Sequence, residues 1–87
     1  MKEVFIIAKE KGYTGDNSLV SLEWWLRLKK LIHCEIFYST FHKSWYINNY
    51  FLDLKKMKRI DHDLPSKKFE NYTDALEYAI TEMLKLQ

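Results

Sequence analysis

Cysteine, glycine and proline are all scarce in this chain, whose 87 residues include one cysteine, two glycines and one proline. The single cysteine, Cys34, excludes an internal disulfide, which fits a reducing compartment. Two glycines are too few for the glycine-rich loops that cradle nucleotide phosphates. No H-E-x-x-H or C-x-x-C spacing occurs, so the common zinc signatures are missing as well. We therefore expect a protein that is not an enzyme and that holds no cofactor or metal.

Long hydrophobic runs are also missing. The apolar run at residues 4–8 is five residues long and is followed at once by Lys9, Glu10 and Lys11. That is too short for a signal-peptide core or a membrane span. We expect the protein to stay in the cytoplasm where it is made and to have no membrane partner.

Aromatic residues, in contrast, are plentiful: three tryptophans, six tyrosines and five phenylalanines. Each large ring can bury about 150–250 Å². A chain of this length forms one domain, here residues 1–87, with a small core. So many rings either fill that core or leave a surface for a partner or a second copy.

Residues 18–32 predict the central helix of the fold. At 100° per residue its polar residues Glu23, Arg27 and Lys30 fall on one narrow stripe, and apolar residues cover nearly all the rest. Breakers at 13–17 precede it, with Asn17 or Ser18 as the cap. A helix this apolar needs cover on several sides, so the rest of the chain should pack around it.

A helix is also predicted at each end of the chain. Residues 1–11 favour a short helix with Gly12 as its left-handed terminator, although the run at 4–8 would also suit a buried strand. Residues 64–70, with Pro65, are predicted to be the longest loop. Asn71 then caps a last helix, with Asp74 completing a capping-box-like pair. Its apolar residues follow the helical period: Tyr72, Ala75, Leu76, Ala79, Ile80 and Met83.

Between the helices, β-forming residues predict strands at 33–41, 45–54 and 57–62. The connections at 42–44 and 55–56 are too short for parallel crossovers, so the strands must be antiparallel. The predicted fold class is α+β, in the order α-α-β-β-β-α. It has a small antiparallel three-stranded sheet with helices packed mainly on one face.

The first strand carries the residues most suggestive of chemistry. His33 and Cys34 are neighbours and should point to opposite faces, so they cannot share a metal. Cys34, Ile36 and Tyr38 should face the helices, with Cys34 a buried thiol rather than a nucleophile. His33 and Glu35 share the other face, either as a local pair or as an acid–base pair.

The modest net charge of +2 conceals a basic segment at 55–68. Its cations are Lys55, Lys56, Lys58, Arg59, Lys67 and Lys68. They either guard a sheet edge and aid solubility or track a nucleic-acid backbone. The same segment contains Asp61-His62-Asp63, which is either a weak cation site or a solvated turn.

Two stretches resemble a group of small uncharacterised proteins of bacteriophages and prophages of gut bacteria. That group has a W-L-R…I-H-x-E-I run and a final Y-x-x-A-L-E…A-L-K-L helix. The first run is matched at Trp25, Leu26, Arg27, Ile32, His33, Glu35 and Ile36, and the final helix at Tyr72, Ala75, Leu76 and Glu77. The resemblance implies a phage origin and the element order above, and it implies no activity.

This chain departs from the group in two places. The connection at 13–20 is shorter, and Trp24 stands where a polar residue is usual. Trp24 and Trp25 are adjacent, hence 100° apart, and cannot occupy the same contact. Since the group keeps Trp25, we expect Trp25 in the core and Trp24 on a dimer or partner surface.

The element order is also similar to that of double-stranded-RNA-binding domains, if the first helix is an extension. That module grips phosphates with a basic start to its last helix. The last helix here opens with acidic residues, which would repel phosphate: Glu70, Asp74 and Glu77. The similarity therefore implies nothing about function.

From these observations we expect a phage-type protein that acts through protein–protein contacts. Its partner would be a second copy or a host protein, met at Trp24 in the host cytoplasm. The alternative is a weak nucleic-acid-binding accessory protein using the basic segment. No small-molecule ligand is expected.

Overall fold

The computed structural model describes residues 2–61 and 67–87. The elements are α1 (Glu3–Glu10), α2 (Leu19–Lys29), β1 (Ile32–His33), β2 (Ile36–Ser39), β3 (Ser44–Ile47), β4 (Tyr50–Asp53), β5 (Lys58–Asp61) and α3 (Tyr72–Lys85). The predicted α+β class is confirmed, with the helices and antiparallel strands in the expected order. Pro65 and the start of the predicted loop at 64–70 lie outside the described residues, as does His62 of the predicted third strand.

The helix ends follow the predicted caps. The Ser21 N–H donates to Ser18 Oγ (3.4 Å) at the start of α2. At the start of α3, the Asp74 N–H donates to Asn71 Oδ1 (2.8 Å), and Asn71 Nδ2 donates back to Asp74 Oδ2 (3.0 Å). Gly12 follows α1 with a left-handed φ of 103°. These local signals need no tertiary contact to act, which is why the sequence reveals them.

The predicted strands at 33–41 and 45–54 do form an antiparallel hairpin, but the prediction that each is continuous is wrong. His33 pairs with Leu52 and Ile36 pairs with Ile47, so residues 34–35 lie opposite the longer stretch 48–51. The unequal lengths break both strands, because a surplus of residues on one side cannot keep the ladder in register. The Asn48 N–H donates to the Glu35 carbonyl (2.9 Å) and holds the break together.

The break divides the strands between two sheets. The first has the order β1-β4-β5, and the second pairs β2 with β3. The second sheet is extended by a single antiparallel bridge between Trp45 and Phe69. Helix α2 packs against β1, while α3 packs against β2 and β3 and receives α1 on another side.

The core lies between the three helices and the first sheet, and α1 contributes Val4, Phe5 and Ala8 to it. Helix α2 contributes Leu22 and Leu26 to the core. Phe51 of β4 and Ile80 of α3 belong to the same buried cluster. Cys34 is buried as predicted. Tyr38 was predicted to face the helices but is half exposed. Its ring contacts Trp45, which in turn contacts Tyr72 at the first residue of α3.

The loop between α1 and α2 contains both glycines, in different environments. A side chain at Gly12 would enter open space, whereas a Cβ at Gly15 would lie 2.5 Å from Tyr13 Oη and 2.7 Å from its ring. Tyr13 is only 4% exposed, its hydroxyl donates to the Asp16 carbonyl (2.6 Å), and its ring packs edge-on against Trp25 (5.5 Å). These contacts prevent the ring from moving aside freely.

We expect Gly15→Ala to lower the free energy of unfolding more than Gly12→Ala does. Gly12→Ala meets only the left-handed backbone strain, roughly 1 kcal/mol. Gly15→Ala must also displace a buried ring, which costs about 1–3 kcal/mol. Urea denaturation of the two variants beside the wild type measures the difference. A larger loss for Gly12→Ala would show that Tyr13 is not held as described.

Candidate functional site

Helix α2 presents an apolar row to solvent, which we call the outer ridge: Val20, Trp24 and Leu28. Their spacing of four residues places them in one line along the helix. The three residues are 61%, 55% and 62% exposed, whereas Leu22 and Leu26 on the opposite side are fully buried. Trp25 packs against the core as predicted. The chain therefore covers α2 on its inner side, and Trp24 lies at the surface.

A cleft of about 270 Å³, the α2–α3 cleft, lies beside the outer ridge. Val20 and Trp24 form the rim on the α2 side, and the half-exposed Tyr72 of α3 stands among the residues on the other side. The full lining is Val20, Glu23, Trp24, Arg27, His33, Cys34, Ile36, Tyr72 and Leu76. The cleft thus combines aromatic and aliphatic walls with a few polar groups, the composition typical of binding sites.

The polar groups of the cleft centre on Glu23. Its Oε2 lies 3.6 Å from Arg27 Nη2, and its Oε1 lies 3.5 Å from His33 Nδ1. The Glu23–Arg27 pair is the i, i+4 contact that helix geometry favours. The Arg27 guanidinium carbon also lies 5.7 Å from the centre of the Trp24 ring, within cation–π range. Arg27 therefore connects the outer ridge to the acidic centre of the cleft.

His33 does not pair with Glu35, as one prediction had it. His33 contacts Glu23 instead, and Glu35 accepts a hydrogen bond from Asn48 Nδ2 (3.4 Å). The alternation expected at His33 and Cys34 is visible in their burial, since Cys34 is buried and His33 only half-buried, and both contribute to the lining of the cleft. Cys34 itself lies in the break after β1, outside a strand.

His33 has an unusual environment for an imidazole. Its Nδ1 is shielded from water and makes no hydrogen bond within the described part of the chain. The 3.5 Å contact with Glu23 is an ion pair only when the imidazole is protonated. A buried polar atom without a hydrogen bond costs free energy. His33 Nδ1 is such an atom, and it lies next to the Glu23 carboxylate in the cleft.

Cys34 does not supply a nucleophile to the cleft. Burial, and then the nearby Glu23 carboxylate, raise the pKa of the thiol to about 12. Thiolate, not thiol, is the reactive form, so Cys34 is unreactive near neutral pH. Partial burial also raises the pKa of the Tyr72 phenol, with Cys34 and Glu23 adding to the shift. At neutral pH both groups are therefore uncharged.

Aromatic contacts extend from the cleft onto the second sheet. Tyr72 packs edge-on against Trp45 at 5.2 Å between ring centres, and Trp45 packs in the same way against Tyr38 at 5.2 Å. On the other side of the hairpin, Phe37 stacks on Tyr46 at 5.8 Å. Phe41, in the turn of this hairpin, is 87% exposed. The exposed aromatic surface thus covers α2, the start of α3 and the β2–β3 hairpin.

The basic segment is divided between the two sheets. Lys55 and Lys56 lie in the turn after β4 and Lys58 and Arg59 lie in β5, all in the first sheet. Lys67 and Lys68, by contrast, precede Phe69, which bridges to β3 of the second sheet. The sequence places these six cations in one segment, but the structure does not place them on one surface.

Two of these cations contact aromatic rings of their own chain. The Arg59 guanidinium lies 4.0 Å from the centre of the Tyr50 ring and 3.7 Å from Asp61. Lys67 Nζ lies 4.7 Å from the centre of the Tyr78 ring. Asp61 is the one member of the predicted cation site that can be placed, since His62 and Asp63 lie outside the described residues.

Within residues 2–61 and 67–87, no group of three or more His, Cys, Asp or Glu side chains is arranged to hold a metal ion. None of the helices formed by these residues is both long and apolar enough to span a membrane. Comparisons of the chain with protein-family models, curated proteins and solved structures give no match. The chemistry of the α2–α3 cleft and the outer ridge is therefore the basis for the functional proposal.

We expect the free energy of unfolding to fall at alkaline pH through ionisation of Cys34. The folded-state pKa of about 12 lies above the unfolded value near 9.0. The stabilisation from the protonated thiol is therefore complete below pH 9 and is lost as pH rises towards 12. Urea unfolding of the wild type should show up to about 4 kcal/mol more alkaline loss than Cys34→Ala.

Cys34→Ala serves as the control for the wild type. The tyrosines that also ionise at alkaline pH are present in both proteins, so the difference between the two profiles reports Cys34 alone. Parallel pH profiles for the two proteins would contradict the burial of the thiol. A second measurement is the rate of reaction with a disulfide reagent near neutral pH. That reaction should be slow in the folded protein and fast in denaturant.

Proposed function

We propose that this chain is a phage-type small protein without enzymatic activity that acts in the bacterial cytoplasm through protein–protein contacts. Its contact surface is the outer ridge together with the α2–α3 cleft. Support for a phage origin comes from the motifs around residues 25–36 and 72–77. Support for the contact surface comes from the position of Trp24.

The observation that carries this proposal is the exposure of Trp24 between two other exposed apolar residues. Single apolar side chains on a surface are ordinary, but Val20, Trp24 and Leu28 form one continuous line. Tryptophan is also the residue most enriched at interface hot spots, because burying its ring removes much apolar area from water. A partner that covers the outer ridge would complete the burial of α2.

The polar residues beside the outer ridge favour a protein partner. Glu23 and Arg27 border the apolar row and are themselves only partly exposed. Protein interfaces commonly have this arrangement, an apolar centre with polar groups at its margin. The cleft adds depth, since it has room for a side chain of the partner beside Trp24.

Nucleic-acid binding is the less favoured alternative, because Lys55, Lys56, Lys58 and Arg59 belong to the first sheet, and only Lys67 and Lys68 adjoin the exposed aromatic surface. The turn with Lys55 approaches α2 only at its C-terminal end, next to Lys30 and Leu31. That end lies about two helical turns from Trp24. Binding to single-stranded nucleic acid uses cations that line a path of stacking rings, and most cations of the basic segment lie away from the outer ridge and the cleft.

We expect Trp24→Ala to lose partners that the wild type retains. The measurement is affinity capture by the tagged protein, with and without nuclease, from a bacterial lysate that also contains an untagged copy of the chain. Phe41→Ala is the matched control, because Phe41 is a more exposed aromatic residue on a different element. Nuclease should not change the retained proteins. If Trp24→Ala retains the same proteins as the wild type, the outer ridge is not the contact surface.

We expect a labelled random oligonucleotide to show unchanged fluorescence anisotropy with this protein at low salt. The contradicting result is binding that weakens steeply with added salt and is lost in Lys55→Glu/Lys56→Glu. That result would favour the nucleic-acid alternative over protein contacts.

A further inference from the structure

We infer that the partner of the outer ridge is a second copy of this chain, with the two α2 helices antiparallel and each Trp24 seated in the other copy's α2–α3 cleft. The inference rests on the proposed function, since it names the partner of the same surface. Its supports are the symmetry of the ridge, the size and chemistry of the cleft, and the charges at the two ends of α2.

The outer ridge is complementary to itself. Val20 and Leu28 lie four residues before and four residues after Trp24, so the row is symmetric in shape about the tryptophan. A two-fold axis passing near Trp24 places Val20 of one copy across from Leu28 of the other. The same patch then serves both copies, as a two-fold dimer requires. Rows spaced by four residues are also those that interdigitate in the commonest class of helix pairs.

The cleft is large enough for an indole ring. An enclosed apolar cavity of about 150 Å³ accepts benzene, and the α2–α3 cleft measures about 270 Å³. Ile36 and Leu76 provide apolar walls, and Tyr72 offers a ring for an edge-on contact. Because the cleft lies directly beside the outer ridge, a ridge from a second copy meets it without any rearrangement of the backbone.

The polar groups of the cleft suit the one polar atom of tryptophan. A buried indole N–H needs an acceptor, and the Glu23 carboxylate lies in the cleft at 3.5 Å from His33 Nδ1. Glu23 makes its two charge contacts at 3.5 and 3.6 Å, longer than ideal hydrogen bonds. The carboxylate therefore retains capacity to accept a hydrogen bond from an incoming donor.

The charges at the ends of α2 favour the antiparallel arrangement. Asp16 is exposed just before the helix, and Lys29 and Lys30 are exposed at its end. An antiparallel pair brings the acidic end of one helix to the basic end of the other, whereas a parallel pair brings like charges together. The helix dipoles act in the same sense, because antiparallel dipoles attract.

The proposed interface is small. An 11-residue helix is about 16 Å long. The surface that each copy would bury, its outer ridge and its cleft, is therefore smaller than the interface area typical of permanent dimers. We therefore expect a dimer that dissociates in the micromolar range.

The experiment is sedimentation analysis of the full chain across a concentration series. The wild type should shift from monomer to dimer with rising concentration. Trp24→Ala should remain a monomer throughout, and Phe41→Ala should behave as the wild type does. Circular dichroism melting confirms that each variant is folded; because Trp24 is exposed, its replacement should leave the melting temperature of the monomer nearly unchanged.

A cross-linking measurement tests the orientation of the two helices. Val20→Cys and Leu28→Cys place thiols at exposed positions, while the buried Cys34 does not compete. A short thiol-specific cross-linker should join Val20→Cys chains to Leu28→Cys chains when the two are mixed. It should join neither variant efficiently to itself. Cross-links only between identical variants would overturn the antiparallel arrangement.

The outcomes separate this inference from the proposed function. A wild type that stays monomeric at all concentrations overturns the dimer, as does a dimer that Trp24→Ala leaves intact. If the monomer still captures another protein in a Trp24-dependent way, the proposed function stands and only the identity of the partner is wrong. If nothing is captured through Trp24, both fail.

Discussion

The packing of α2 against α3 is the contact on which the rest of this small fold depends. Leu22 and Leu26 of α2 and Ala79 and Ile80 of α3 are all fully buried in one cluster. Burial of these four side chains in one cluster holds α2 and α3 together. This contact uses the inner side of α2 and, by helix geometry, turns Trp24 to the outside.

The break in the long hairpin is the second determinant of the site. Because residues 34–35 lie opposite the longer stretch 48–51, the chain leaves the first sheet after His33 and enters the second at Ile36. Cys34 is thereby buried beneath the α2–α3 cleft, and His33 comes within contact distance of Glu23. The cleft therefore joins the polar groups of α2 and β1 to a buried thiol in the break between the sheets.

The distribution of charge follows from the same division into two sheets. Lys55 and its neighbours belong to a hairpin of the first sheet, while Lys67 and Lys68 lie beside the second. Several charged groups contact their own chain, such as Arg59 with Tyr50 and Arg27 with Trp24. The part of α2 that the chain leaves uncovered is mainly the apolar outer ridge. Protein contact is accordingly the better proposal than binding to a polyanion.

Local chemistry determined the helices and turns of this protein. Ser18, Asn71 and Gly12 act on the nearest backbone groups, and the 3.6-residue period of α3 marks its buried face. Such signals depend on neighbours within a few residues, so the sequence alone predicts them.

Tertiary structure decided the site. The exposure of Trp24, as distinct from Trp25, depends on which side of an almost wholly apolar helix α3 occupies. The contact of His33 with Glu23 depends on how α2 packs against β1, and the separation of the basic residues depends on the register that divides the strands between two sheets. Register and helix packing are long-range choices among alternatives with similar local energies, and the core that forms selects one of them.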